Sequence, residues 1–139
     1  MIAIDTNVLV YSVDASEPAK MAVADSIIKD LGSKGTGVLL WQVACEFLAC
    51  LNRWENQGRI TAIQTEAYFE SVSTLFPVVT PVPEMLSSVL DLKRRFSVSY
   101  WDGLLIAGCK AAGVSELYSE DLSSGMSYDG VNVINPFGS

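Results

Sequence analysis

The chain has 139 residues, half of them hydrophobic and 18% charged, which fits one globular domain with a core of its own and excludes a disordered chain. The net charge of −7 argues against a general polyanion binder, and the absence of histidine excludes Ser-His-Asp, Cys-His and His-zinc chemistry. Any hydrolysis must therefore run on carboxylates, hydroxyls, lysine or a metal bound through oxygen.

In chain order, Ile2–Ile4 reads as a short buried strand ending at Asp5. Asp14-Ala15-Ser16-Glu17-Pro18 reads as a loop, with Pro18 opening a helix that runs from Ala19 to Leu31 and stops at Gly32. Val38–Trp41 is a second buried strand, followed by a helix from Gln42 to Trp54 with Val43, Phe47, Leu48, Leu51 and Trp54 on one arc. Thr61 and Gln64 have capping-box spacing for a helix to Leu75, Pro77–Thr80 is a strand, and Pro83 opens a helix to Phe96. A further helix spans Ser99 to Ala112, with Trp101, Leu105, Gly108 and Ala112 as its core stripe, closed by Gly113. Glu116–Ser119 and Val131–Ile134 supply the last strands. Strands alternating with helices predict parallel crossovers and a three-layer α/β/α sandwich with a mainly parallel sheet of about five strands, in a single domain over 1–139.

No apolar run approaches the roughly 18 residues that span a bilayer, and no secretory signal is visible. Cys45, Cys50 and Cys109 form no C-x-x-C pair and read as reduced thiols of a cytoplasmic protein, each a small core residue. Dimer-surface candidates are Val72, Leu75, Phe76, Trp54 and Tyr68.

Ligands of open parallel sheets bind at the carboxyl ends of the strands, so acids just after strands stand out. Asp5 ends the first strand, where it also fits an N-cap. Asp121 lies two residues past the fourth strand and fits a turn as well. Asp102 occupies the first turn of its helix, at capping distance from Ser99, and Glu46 sits at the edge of an apolar arc, where a surface role is also ordinary. Each alone has a structural explanation. Converging together, they would repel unless a cation joined them, and an all-oxygen donor set selects Mg²⁺ or Mn²⁺ over zinc.

The motifs "IDTNVLVY", "EFLACLNRW", "SYWDGLLIAGCKAAG" and "LYSEDLSSG…DGVNVINPF", in that order along the chain, resemble those of the PIN-domain ribonucleases, and in layout the toxins of VapBC toxin–antitoxin pairs. The resemblance implies that Asp5, Glu46, Asp102 and Asp121 form an acidic metal site, supported by Thr6, Asn7 and Ser119. Glu120 could share or replace the role of Asp121, which ranks first because it alternates with Ser119 on an extended chain. The resemblance also implies Mg²⁺- or Mn²⁺-dependent endoribonuclease activity, a homodimer and a small antitoxin partner. Lys93, Arg94, Arg95, Arg53 and Lys110 are the candidate RNA contacts. Three rivals remain. A haloacid-dehalogenase-like phosphatase wants an acid where Asn7 stands, and a receiver domain wants one where Thr80-Pro81 stands. The third is a PIN-like scaffold that binds RNA or protein without cutting.

Overall fold

The computed structural model describes residues 1–138. The chain runs through β1 (Ile2–Ile4), α1 (Thr6–Tyr11), α2 (Pro18–Lys34), β2 (Gly37–Leu40), α3 (Trp41–Asn56), α4 (Ala62–Leu75), β3 (Val78–Val79), α5 (Met85–Phe96), α6 (Tyr100–Ala111), β4 (Glu116–Tyr118), β5 (Ser127–Tyr128) and β6 (Val131–Ile134). The sheet order is β3-β2-β1-β4-β6-β5, parallel except where β5 meets β6. Right-handed crossovers from β1 through β2 to β3 put α1–α4 on one face; the return from β3 past β1 to β4 puts α5 and α6 on the other. The chain's direction across the sheet therefore reverses between β1 and β4. That reversal point, at the strands' carboxyl ends, is where such sheets bind ligands.

The sheet has six strands where about five were expected. Asp129 and Gly130, both at positive φ, make the tight turn that folds β5 back on β6, with Tyr128 opposite Val131. α2 does not stop at Gly32 but runs to Lys34 and is closed by Gly35 in the left-handed region. Gly32 serves a different purpose: a Cβ there would stand 2.9 Å from Leu75 Cδ2, so its bare backbone lets α4 approach. The expected Thr61 capping box is present, with both reciprocal hydrogen bonds formed.

Trp101 is not in the core stripe of α6 but is 66% exposed, because it projects from the first turn beyond the sheet. A Cβ at Gly108 would stand 3.5 Å from Met85 Cε and 3.8 Å from Leu40 Cδ1 of β2, and the buried residues of α6 are Gly103, Leu105, Ile106, Ala107 and Cys109. On α3, Trp41 starts the helix and Leu48 is exposed, leaving Val43, Phe47, Leu51 and Trp54 as the buried arc. Cys45 is exposed, and only Cys50 and Cys109 are core thiols. Val72, Phe76 and Trp54 belong to the core, so of the proposed dimer-surface residues Leu75 alone is exposed.

Gly37 opens β2 against the ring of Phe76, which is 2% exposed. A Cβ at Gly37 would fall 2.5 Å from Phe76 Cε1, and a fully enclosed ring has nowhere to retreat. Gly37→Ala is expected to destabilise the protein by about 1–3 kcal/mol. Denaturant unfolding checks this, and an unchanged midpoint would contradict the packing described.

Candidate functional site

Asp5 and Ser119 are the only buried polar residues among those described, at 8% and 0% exposure. They follow β1 and β4, the two strands that flank the reversal point. The Asp5 backbone N–H donates to the Tyr118 carbonyl (2.8 Å), which continues the β1–β4 pairing up to the acid itself. Asp5 is also the N-cap of α1, accepting from the Thr6 N–H at 2.7 Å through Oδ1. Through Oδ2 it accepts from the Ser119 hydroxyl, also at 2.7 Å. The cap and the site are thus one feature, with each carboxylate oxygen held by a different element.

Burial pushes the Asp5 carboxyl up to about 6. The Ser119 and Thr6 hydrogen bonds pull it down, while the charges of Asp121 and Glu46 push it up again. Those effects place Asp5, Asp121 and Glu46 in one electrostatic neighbourhood. Glu46 and Asp121, both exposed, line a cavity of about 460 Å³ together with Thr6, Asn7, Val10, Tyr11, Ala49, Cys50 and Arg53.

Asp102 arrives from another direction. Since α6 leads into β4, its N-terminus lies at the same rim as the strands' carboxyl ends. Ser99 Oγ accepts from the Asp102 N–H at 3.0 Å, but the reciprocal half of a capping box is not formed, so the cap does not occupy the Asp102 carboxylate. Asp102 and Cys109 lie seven residues apart and so share a face of α6. Burial raises the buried Cys109 thiol to about 12, and the charge of Asp5 adds to the rise. Asp102 is half-buried about two turns nearer the rim. Unlike Glu46 and Asp121, it does not line the cavity.

The polar groups expected to support the acids have distinct places. Asn7 Oδ1 accepts from the Glu120 N–H at 3.3 Å, and Ser119 Oγ accepts from the Asp121 N–H at 3.2 Å. Glu120 turns away from Asp121: its carboxylate takes the Lys20 ammonium at 3.1 Å and the Tyr11 hydroxyl at 3.1 Å. The Lys20 ammonium also lies 4.6 Å from the centre of the Tyr11 ring. Sequence reasoning missed Lys20 and Tyr11, because no local pattern connects α2 to a loop a hundred residues later.

Of the proposed RNA contacts, Arg95 and Lys110 are both spent on Asp129, and their hydrogen bonds hold its carboxyl down at about 2. Lys93 and Arg94 are exposed on α5 and form no ion pair among the described residues; neither lines the cavity. Arg53 does.

The donors around Asp5 are carboxylate, hydroxyl and amide oxygens, a set suited to a hard divalent cation. A buried carboxylate held near two others by its own hydrogen bonds is a site that such a charge would relieve. Among the described residues, no three candidate ligands already converge on one point. An ion would need Glu46 and Asp121 to turn inward, which their exposure permits.

A second, apolar groove of about 780 Å³ lies beside the first, lined by Trp41, Val82, Met85, Trp101 and Leu104 among others. Glu46 lines both. Gln42 Nε2 donates to the Trp101 carbonyl at 3.3 Å, joining the starts of α3 and α6 across the groove. This groove was not foreseen from the sequence, where both tryptophans read as buried.

Residues 2–123 match the family model described as PIN domain. The chain belongs to the PIN-domain family. Among solved structures it is similar to a toxin–antitoxin complex from Klebsiella pneumoniae (12% identity, 98% of each chain covered, TM-score 0.69). It is similar also to VapBC2 from Rickettsia felis bound to a DNA fragment from their promoter (12% identity, 96% of this chain and 97% of that chain, TM-score 0.71). A third is VapC20 of Mycobacterium tuberculosis, a sarcin-ricin loop cleaving toxin (18% identity, 87% of this chain and 90% of that chain, TM-score 0.60). No curated protein sequence matches the chain. No helix among the described residues is long and apolar enough to cross a membrane.

Proposed function

We propose that this protein is a Mg²⁺- or Mn²⁺-dependent endoribonuclease and the toxin member of a VapBC-type toxin–antitoxin pair. The observation that carries the reading is the buried Asp5 carboxylate at the sheet's reversal point, held by Ser119 and flanked by Glu46 and Asp121, in a PIN-domain chain. Asp5, Glu46, Asp102 and Asp121 are the residues that would hold the ion.

A divalent ion bound there supplies Lewis acidity, activating water and offsetting charge on the phosphodiester. The chain's own contribution is position. Thr6 and Ser119 fix both oxygens of Asp5, and Asn7 and Ser119 pin the two backbone amides of the loop that carries Asp121. With no histidine to take it, the proton released by the attacking water passes to solvent or to an exposed carboxylate at the cavity.

The protein partner is supported by the likeness to toxin–antitoxin complexes and by an apolar groove continuous with the acids through Glu46. A homodimer belongs to the same reading, supported by Leu86 and Leu90, exposed one turn apart on α5. The unpaired cysteines fit a reducing cytoplasm.

The test is cleavage of an RNA pool with Mg²⁺, with EDTA, and by Asp5→Asn and Asp102→Asn. Chelation and either substitution are expected to reduce the rate roughly 100-fold or more, about 2.7 kcal/mol at the barrier. Undiminished cleavage by either variant would remove that residue from the site. Absence of cleavage by the intact protein with either metal would favour a scaffold that binds without cutting.

A further inference from the structure

The nine cationic side chains of the chain are unequally occupied. Lys20, Lys29, Lys34, Arg59, Arg95 and Lys110 each pair with a carboxylate. Arg53, Lys93 and Arg94 pair with none among the described residues, and of these only Arg53 lines the cavity that holds Glu46 and Asp121. Arg53 shares that cavity with two exposed carboxylates, Glu46 and Asp121, and an ion pair with either would occupy it. It forms neither.

The reason lies in α3. Glu46, Ala49, Cys50 and Arg53 recur at helical spacing and form one wall of the cavity, with Glu46 toward the strand rim and Arg53 in the last turn. Seven residues separate the acid from the guanidinium, about 10 Å along the helix. Burial pushes the Cys50 thiol up and the charge of Arg53 pulls it part-way back, which fits a guanidinium lying along the cavity wall. The slot is therefore polarised: carboxylates at one end, a single cation at the other, and small or apolar side chains between.

A further donor without a partner lies beneath it. Asn7 Oδ1 is committed to the Glu120 N–H, which fixes the amide's orientation and makes Nδ2 a donor. That Nδ2 is buried and has no acceptor, in a residue that also lines the cavity. The Arg53 guanidinium, exposed at the cavity and paired with no carboxylate among the described residues, suits an anion brought from outside.

We propose that Arg53 is the seat for a backbone phosphate of the RNA, about one or two nucleotide steps from the bond held at the acids. This rests on the endoribonuclease reading above and adds a substrate-positioning residue to it. A chain of net charge −7 repels RNA over most of its surface. One unpaired guanidinium at a fixed distance from the acids gives the strand a register that diffuse attraction cannot.

The test uses anisotropy of a short fluorescein-labelled single-stranded RNA across a KCl series with Mg²⁺, in an Asp102→Asn background that leaves the probe intact. Arg53→Ala is expected to weaken binding and to reduce the slope of log affinity against log salt by about 0.7, one phosphate contact, while Arg53→Lys retains the slope. Loss of a favourable contact with the helix dipole alone would lower stability without touching the slope. Lys29→Ala, which removes an equal charge from exposed α2, should leave the slope unchanged. An unchanged slope in Arg53→Ala, an equal change in Lys29→Ala, or no RNA binding by the background protein would each overturn the proposal. In the otherwise intact protein, Arg53→Ala should raise KM more than it lowers kcat. Arg53-dependent binding without cleavage would leave the phosphate seat and remove the nuclease reading. Cleavage with an Arg53-independent slope would do the reverse.

Discussion

Asp5→Asn is expected to make the metal-free protein more stable above about pH 6 while removing RNA cleavage. The sign follows from the raised carboxyl. Below its ordinary value of 3.8, Asp5 is protonated in both folded and unfolded chains and costs nothing. Between 3.8 and about 6, the folded protein keeps a proton that the unfolded chain has released, so stability falls as pH rises through that window. Above it the whole cost stands, and a shift of this size corresponds to roughly 3 kcal/mol at most. Asparagine carries no charge to desolvate, so its stability curve should be flatter over the window. Addition of Mg²⁺ should then stabilise the native protein, because an ion that binds only the folded state shifts the equilibrium by mass action, and should do little for Asp5→Asn. Denaturant unfolding at a series of pH values, with and without Mg²⁺, reads all of this. An Asp5→Asn protein less stable than the native one above pH 6 would mean that the carboxylate is held chiefly by its hydrogen bonds and that its burial carries no net cost.

The placement of Asp5 was legible because the rule behind it is topological. Strands alternating with helices imply a parallel sheet, and the end of the first strand then falls where the direction of the chain's progress reverses. Asp102 was legible for a related reason: Ser99 marks where α6 begins, and a helix entering a parallel strand begins at the rim. The Asp129-Gly130 pair was also readable, since that dipeptide is among the strongest hairpin signals. The strand before it has only two residues, too few to show a period, so the dipeptide has no strand pattern on that side to confirm it.

Other features were hidden by the limits of periodicity itself. Trp101 falls in register with Leu105, so its spacing says core; its position in the first turn carries it past the sheet, where it meets Tyr100 edge-on and stays 66% exposed. Gly32 looks like a stop signal, whereas the close approach of Leu75 explains it only once α4 is in place. The ambiguity between Glu120 and Asp121 could not be resolved locally either. It depends on Lys20 and Tyr11, distant in sequence, which draw the Glu120 carboxylate toward α1 and α2.

Ser119→Ala is expected to damage both stability and function, because one hydroxyl serves two acids. The Ser119 O–H donates to Asp5 Oδ2, and the same oxygen accepts from the Asp121 N–H. It does so with no exposure to solvent, so water cannot replace what alanine removes. Leaving a buried carboxylate oxygen and an amide short of partners should cost about 1–3 kcal/mol. By contrast, the part-exposed Lys20–Glu120 pair is of the kind worth under about 1 kcal/mol. Cleavage should fall as well, since Asp5 and the Asp121 loop would lose their shared anchor. A double-mutant cycle separates this from general loosening. In an Asp5→Asn background the buried charge is gone, so Ser119→Ala should cost less than it does alone, with a coupling of roughly 0.5–3 kcal/mol for groups in direct contact. Strict additivity would show that Ser119 stabilises the strand end without acting on the acid. In that event the link from β4 to the site would rest on the Asp5 N–H bond to Tyr118 and the Glu120 N–H bond to Asn7.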